Sequence, residues 1–171
     1  MVATHEILFI AMRDLGINLK ELEGPGHFNK RLLIQKYSYV IQAVAGFHLG
    51  NFNLYIRGPY SPDVANMAFF ISENYEQVSQ ATKKYRFSSV VQNIVNNIQN
   101  IFSNPSIDLP KERALEAWST YHYIRTNFFN SKGFNEAGNS LFQVKSFPEI
   151  DRDEILKFLR KVDDELKISY A

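Results

Sequence analysis

The sequence predicts a mainly α-helical fold, α+β only through one small β-hairpin, in a single domain spanning residues 1–171. Two observations predict it. Apolar residues recur at spacings of three and four in about six stretches, the period of a helix with one buried face. One run, Phe52-Asn53-Leu54-Tyr55-Ile56-Arg57, instead alternates apolar with polar or amphipathic side chains, the period of a half-buried strand. A break over Asn104–Pro110 separates a helix–hairpin–helix half (about 1–103) from a C-terminal helical half (about 108–171).

The first helix is expected over about Thr4–Leu15, with Ile7, Leu8, Ala11 and Leu15 on one face and Gly16 placed to end it. A Gly-Pro-Gly loop leads to a second helix over about Asn29–Ala45, capped by Asn29 and closed by Gly46. Leu33, Tyr37, Val40 and Val44 form its buried stripe, while Lys30, Gln35, Gln42 and Lys36 are expected on the outward side. Phe47–Leu49 reads as a short strand, turned by Gly50-Asn51 into the Phe52–Arg57 strand. Gly58-Pro59 stops that strand, because glycine tolerates unusual backbone angles and proline cannot donate to a ladder.

Ser61 is then a good N-cap, Pro62 suits the first helical position, and Asp63 complements the helix dipole. The third helix should carry Val64, Met67, Ala68, Ile71, Tyr75 and Val78 inward. Ala81–Phe87 is a basic connector, or a short strand. Ser88 caps a fourth helix with Val91, Ile94, Val95, Ile98 and Phe102 facing the core. A fifth runs over about Leu109–Asn130, and a short helix over about Asn135–Val144. The last opens on an Asp151–Glu154 capping box and buries Ile155, Leu159, Val162 and Leu166. Its Asp163-Asp164-Glu165 run reads as a solvated face.

With 171 residues, 45% of them apolar, the chain can bury a substantial core. The absence of cysteine excludes disulfides, thiolate metal ligands and a cysteine nucleophile. No stretch approaches the roughly 20 apolar residues of a membrane helix. No leader is apparent either, so a cytoplasmic protein without membrane contact is expected. The four histidines show neither the helical metal-pair spacing nor a His-Glu-x-x-His motif, so neither a metal nor a cofactor is expected. Serine-nucleophile elbows and phosphate loops are likewise missing. The net charge of +1 is unevenly spread: seven basic side chains stand against three acidic ones between Gly24 and Val90. Of these, Lys30, Arg31, Lys83, Lys84 and Arg86 are candidate nucleic-acid contacts if they converge.

Two motifs resemble a known family. Ile34-Gln35-Lys36-Tyr37-Ser38-Tyr39 is similar to the Leu-Gln-Lys-x-x-Tyr helix of the YwgA-like proteins. The run Leu54-Tyr55-Ile56-Arg57-Gly58-Pro59-Tyr60-Ser61 resembles their Gly-Pro-Tyr-Ser turn. Leu115–Tyr123 and Asp153-Glu154-Ile155 are thinner matches to later helices of that family. More distantly, the same helix and turn resemble the Panacea domain of SocA-like antitoxins, although Tyr60 stands where those domains generally carry valine. The layout of helix, short hairpin and helix is also partly winged-helix-like. The resemblance implies a helical, non-enzymatic regulatory or antitoxin-like binding module, from mobile-element and defence contexts, that contacts a protein partner or nucleic acid; the sequence leaves an oligomer open. The alternative it implies is a winged-helix DNA-binding regulator.

The residues carrying the resemblance are also the candidate binding site: Gln35, Lys36, Tyr39, Arg57, Tyr60 and Ser61. Lys36 and Tyr39 are neighbours on a helix surface. Arg57 offers a planar donor fork and Tyr60 an aromatic face with a polar tip. Amides at the start of the third helix could receive an anion. The expectation is that the glycine–proline corner docks on the glutamine–lysine–tyrosine helix to form one recognition feature.

Overall fold

A computed structural model describes residues 1–170 and is mainly helical with one two-stranded hairpin. The elements are α1 (Thr4–Asp14), α2 (Phe28–Ala45), β1 (Asn53–Tyr55), β2 (Gly58–Tyr60), α3 (Pro62–Glu73), α4 (Tyr75–Thr82), α5 (Ser89–Ser103), α6 (Lys111–Asn127), α7 (Phe134–Val144) and α8 (Arg152–Glu165). Short 3-10 turns precede α2 and follow α6.

Helices α2 and α6 are the axis of the fold. In α2 every residue from Ile34 to Ile41 is buried, and in α6 every residue from Ala114 to Tyr121. Neither has an outward polar face in its middle, so both are enclosed by other elements. Helix α6 packs on α2, α5, α7, α8 and β2. One apolar core runs through both halves, from Leu8 and Met12 through Val40, Ile71, Ile98 and Trp118 to Leu159 and Val162.

The punctuation of α1 to α3 follows the residue types. Gly16 and Gly46 take the left-handed angle (φ 77° and 80°) that ends α1 and α2. Ser61 Oγ accepts from the Val64 amide (3.3 Å), with Pro62 opening α3. The predicted third helix is broken at Asn74, whose backbone leaves the helical region and whose side-chain amide donates back to the Phe70 carbonyl (2.9 Å); α4 begins at Tyr75. Ser88 caps α5. The Lys83–Phe87 connector contains no strand.

Four further expectations of local structure need correction. Asn29 does not cap α2, which begins at Phe28 after a 3-10 turn. At α8 the Asp151 side chain makes no capping bond. The hairpin is shifted: Asn53, Leu54 and Tyr55 pair with Tyr60, Pro59 and Gly58, so the corner is Ile56-Arg57 rather than Gly50-Asn51. Ile56 and Arg57 keep ordinary negative φ, and Gly58 at φ 93° supplies the left-handed residue that brings the chain back. Such a corner, a turn followed by a left-handed glycine, is a common hairpin solution. Gly50 is required for another reason, since a Cβ there would collide with Ser61 Oγ at the start of α3. Ile56, expected inside, is 88% exposed at the hairpin tip.

Candidate functional site

The glutamine–lysine segment of α2 holds the glycine–proline corner by direct hydrogen bonds. Gln35 Oε1 accepts from the Ser61 amide (2.9 Å), and Gln35 Nε2 donates to the Ser61 carbonyl (3.0 Å). The amide side chain thereby continues the hairpin's ladder where its second strand would otherwise lie unpaired. One step along, Lys36 Nζ donates to the Pro59 carbonyl (2.7 Å). Both side chains are buried, Lys36 to 1% exposure, which corrects their expected outward placement. The reason is topological: β2 and α6 cover the face of α2 that the apolar spacing leaves polar.

A buried ammonium is disfavoured, and burial pulls Lys36 down to about 7. Glu116 opposes that shift and Lys145 adds to it. Glu116 is itself buried, paired with Lys145 (3.0 Å) and Arg113 (3.3 Å). Thr120 on α6 completes the surroundings of the corner. A Cβ on Gly58 would lie 2.8 Å from Thr120 Oγ1 and 3.4 Å from Lys36 Nζ, so glycine is needed there for space as well as for angle. Thr120 Oγ1 is buried without a hydrogen-bond partner among the described residues.

Next to this joint is a cleft of about 420 Å³ between α2, the hairpin and α3. Gln35, Lys36, Arg57 and Tyr60 line it together with Leu32, Phe28, Tyr55, Ile56, Ala68 and Phe69. Its wall is chiefly apolar, and no acidic side chain belongs to it among the described residues. Tyr55 and Tyr60 stack edge to face across the hairpin (5.3 Å). At the mouth, the guanidinium groups of Arg57 and Arg31 both lie over the Phe28 ring, 5.8 and 5.9 Å from its centre. Arg57 makes no hydrogen bond or ion pair among the described residues.

Four of the expected binding residues therefore meet at one cleft, and Ser61 is the backbone anchor behind it. Tyr39 departs from this set. Its hydroxyl is 2.7 Å from His122 Nδ1, its ring packs on Phe52 and Tyr123, and it lines a separate cleft with Gln42, His48 and Asn127. Burial raises the Tyr39 phenol and lowers His122 to about 4, so both are neutral at pH 7. The start of α3 is not an open anion site either. Ser61 Oγ occupies the Val64 amide, while Asp63 brings its own carboxylate there and accepts from the Asn51 amide (3.0 Å).

The basic residues divide. Lys30 donates to the Glu21 carbonyl (2.8 Å), and Arg31 to the carbonyls of Leu22 and Gly24. Both brace the loop before α2. Arg86 donates to Lys83 and Tyr85 carbonyls in the α4–α5 connector (3.0 and 2.7 Å), where Lys83 and Lys84 are exposed. Arg13 of α1 ties the same connector down through Thr82 and Tyr85.

Asp163, expected in solvent, is buried. It accepts from Trp118 Nε1 (2.9 Å), Tyr121 Oη (2.7 Å) and Tyr170 Oη (2.9 Å), and faces Arg125 at 3.5 Å. Burial raises its carboxyl, and these hydrogen bonds and the guanidinium oppose the rise. This hub joins α8 to α6; the sequence offered no sign of it beyond an acidic residue one turn from Leu159. Among the described residues no group of three or more histidine, aspartate or glutamate side chains gathers to hold a metal. No helix among them is long and apolar enough to cross a membrane.

Compared with known proteins, the chain matches no family model, no curated protein and no solved structure.

Proposed function

We propose that this protein is a regulatory binding module whose recognition face is the hairpin tip and the cleft behind it, and that its partner is a protein. One observation carries the reading. Ile56, Tyr55 and Tyr60 expose apolar surface on a hairpin that Gln35 and Lys36 brace, Phe28 at the start of α2 adds to it, and that surface is continuous with an apolar cleft. Scattered exposed apolar residues need no explanation, but a contiguous patch on a braced element favours an interaction site. The antitoxin-like role and the YwgA-like kinship suggested by the two motifs belong to the same proposal.

The DNA-binding alternative draws less support, because Lys30 and Arg86 already donate to main-chain carbonyls of their own loops. The test is capture from lysate by the immobilised protein, with nuclease treatment. A protein retained by the wild type and by a Lys83→Glu/Lys84→Glu double variant, but lost with Ile56→Asp, is the expected result. Retention that follows the lysines, or that nuclease abolishes, would overturn it in favour of nucleic acid.

A further inference from the structure

The mouth of the cleft has an unbalanced charge. Arg57 and Arg31 approach the same Phe28 ring from the hairpin and from α2, and no acidic residue lines the cleft among the described residues. Arg57 keeps its whole donor fork free there. Arg31 uses one terminal nitrogen, Nη1, on the Leu22 and Gly24 carbonyls, which fixes its position and leaves its other nitrogens available. Two like charges gathered at one ring repel, and a bound anion nearby relieves the repulsion. A guanidinium fork matches a carboxylate in geometry as well as charge.

Behind the mouth the cleft is apolar, and its volume of about 420 Å³ suits a bulky side chain or two. The apolar surface also forms the outer rim of the cleft. Ile56 is 88% exposed and Tyr55 is half exposed on the hairpin side of that rim, standing out into solvent rather than enclosed by the cleft walls. A polypeptide covers both.

Resting on the binding-module reading, we propose that the cleft between α2, the hairpin and α3 receives an acidic, apolar-anchored segment of the protein partner. A bulky apolar side chain enters between Leu32, Ala68 and Phe69, and a carboxylate beside it is held by Arg57 and Arg31. The hairpin tip covers the flanking residues of the segment.

Selection from a displayed library of random peptides on the full chain tests this without presuming a sequence. The expected consensus places aspartate or glutamate beside phenylalanine, tryptophan or leucine. A selected peptide, titrated by fluorescence anisotropy, should bind Arg57→Ala about tenfold more weakly, the loss typical of one charge-assisted contact. Exchange of its acidic residues for their amides should cost the wild type at least a similar factor, and should cost less in Arg57→Ala, where only the Arg31 contact is left to remove. Arg57 is at an exposed tip, so an unchanged melting temperature shows that the variant is folded.

A basic or neutral consensus, no enrichment, or equal affinity in Arg57→Ala would overturn the proposal. So would tight binding of phenylpropionate alone with no peptide selected, which would make the cleft a small-molecule site. If a lysate protein still depends on Ile56 while no acidic peptide binds, this inference fails and the binding-module reading stands. If neither depends on the hairpin, both fail.

Discussion

Replacing Gln35 with methionine removes two hydrogen bonds and almost no volume. The Ser61 amide has Gln35 Oε1 as its acceptor at 2.9 Å, in a residue with no exposed surface. The Ser61 carbonyl is better protected, because the Ala65 amide also donates to it (3.1 Å). The substitution therefore orphans one buried N–H and weakens one carbonyl. An unsatisfied buried donor costs about 1–3 kcal/mol and a lost second bond about 1 kcal/mol more, so Gln35→Met should destabilise the domain by roughly 2–4 kcal/mol. For a chain of this size that lowers the melting temperature by roughly 5–12 °C. Gln35→Ala should cost more, since it adds a cavity. The assay is urea denaturation together with hydrogen exchange over residues 53–61, whose amides should exchange faster than those of α6. A Gln35→Met variant within about 0.5 kcal/mol of wild type, the range of an ordinary surface change, would refute the bracing role of this side chain.

Lys36 gives the stability a pH dependence of defined sign. Its folded pKa, about 7, is below the ordinary lysine value of 10.5, so between these two values the unfolded chain binds more protons. Stability should therefore rise with pH from about 7 towards 10, by roughly 1.4 kcal/mol per pH unit at most, and Lys36→Met should flatten that slope in denaturation midpoints. Gly58→Ala forces a left-handed alanine against Thr120 and Lys36; it should cost roughly 2–4 kcal/mol by urea denaturation. Asp163→Ala removes the acceptor of Trp118, Tyr121 and Tyr170 and leaves Arg125 without its carboxylate. It should destabilise by roughly 3–5 kcal/mol in thermal melts, yet leave partner capture intact below the transition.

Much of this architecture was legible in the residues. Gly16 and Gly46 stop their helices, Ser61-Pro62 starts α3, and α5 shows a clean apolar stripe because one side of it faces solvent. The same logic fails where a helix has no solvent side. In α2 and α6 the stripe dissolves, so Gln35, Lys36 and Glu116 look like surface residues although each is buried and partnered by a distant segment. Asp163 was misplaced for a related reason, since its partners come from α6 and from Tyr170. In the hairpin, two glycines competed for the turn. Gly50 reads as a turn residue but serves close packing against Ser61, and Gly58 reads as a strand stop but carries the turn. The docking of the Gly58–Ser61 corner on Gln35 and Lys36 followed from the sequence expectation; the departure of Tyr39 to His122 and the pairing of Arg31 with Arg57 did not, because each depends on a neighbour brought in by the tertiary fold.

The most direct measurement places a photoreactive amino acid at position 56 in one sample and at position 84 in another, then irradiates each with lysate. A protein adduct formed from the hairpin tip and absent from the connector is the predicted result. Adducts to nucleic acid from position 84, with none from position 56, would contradict it.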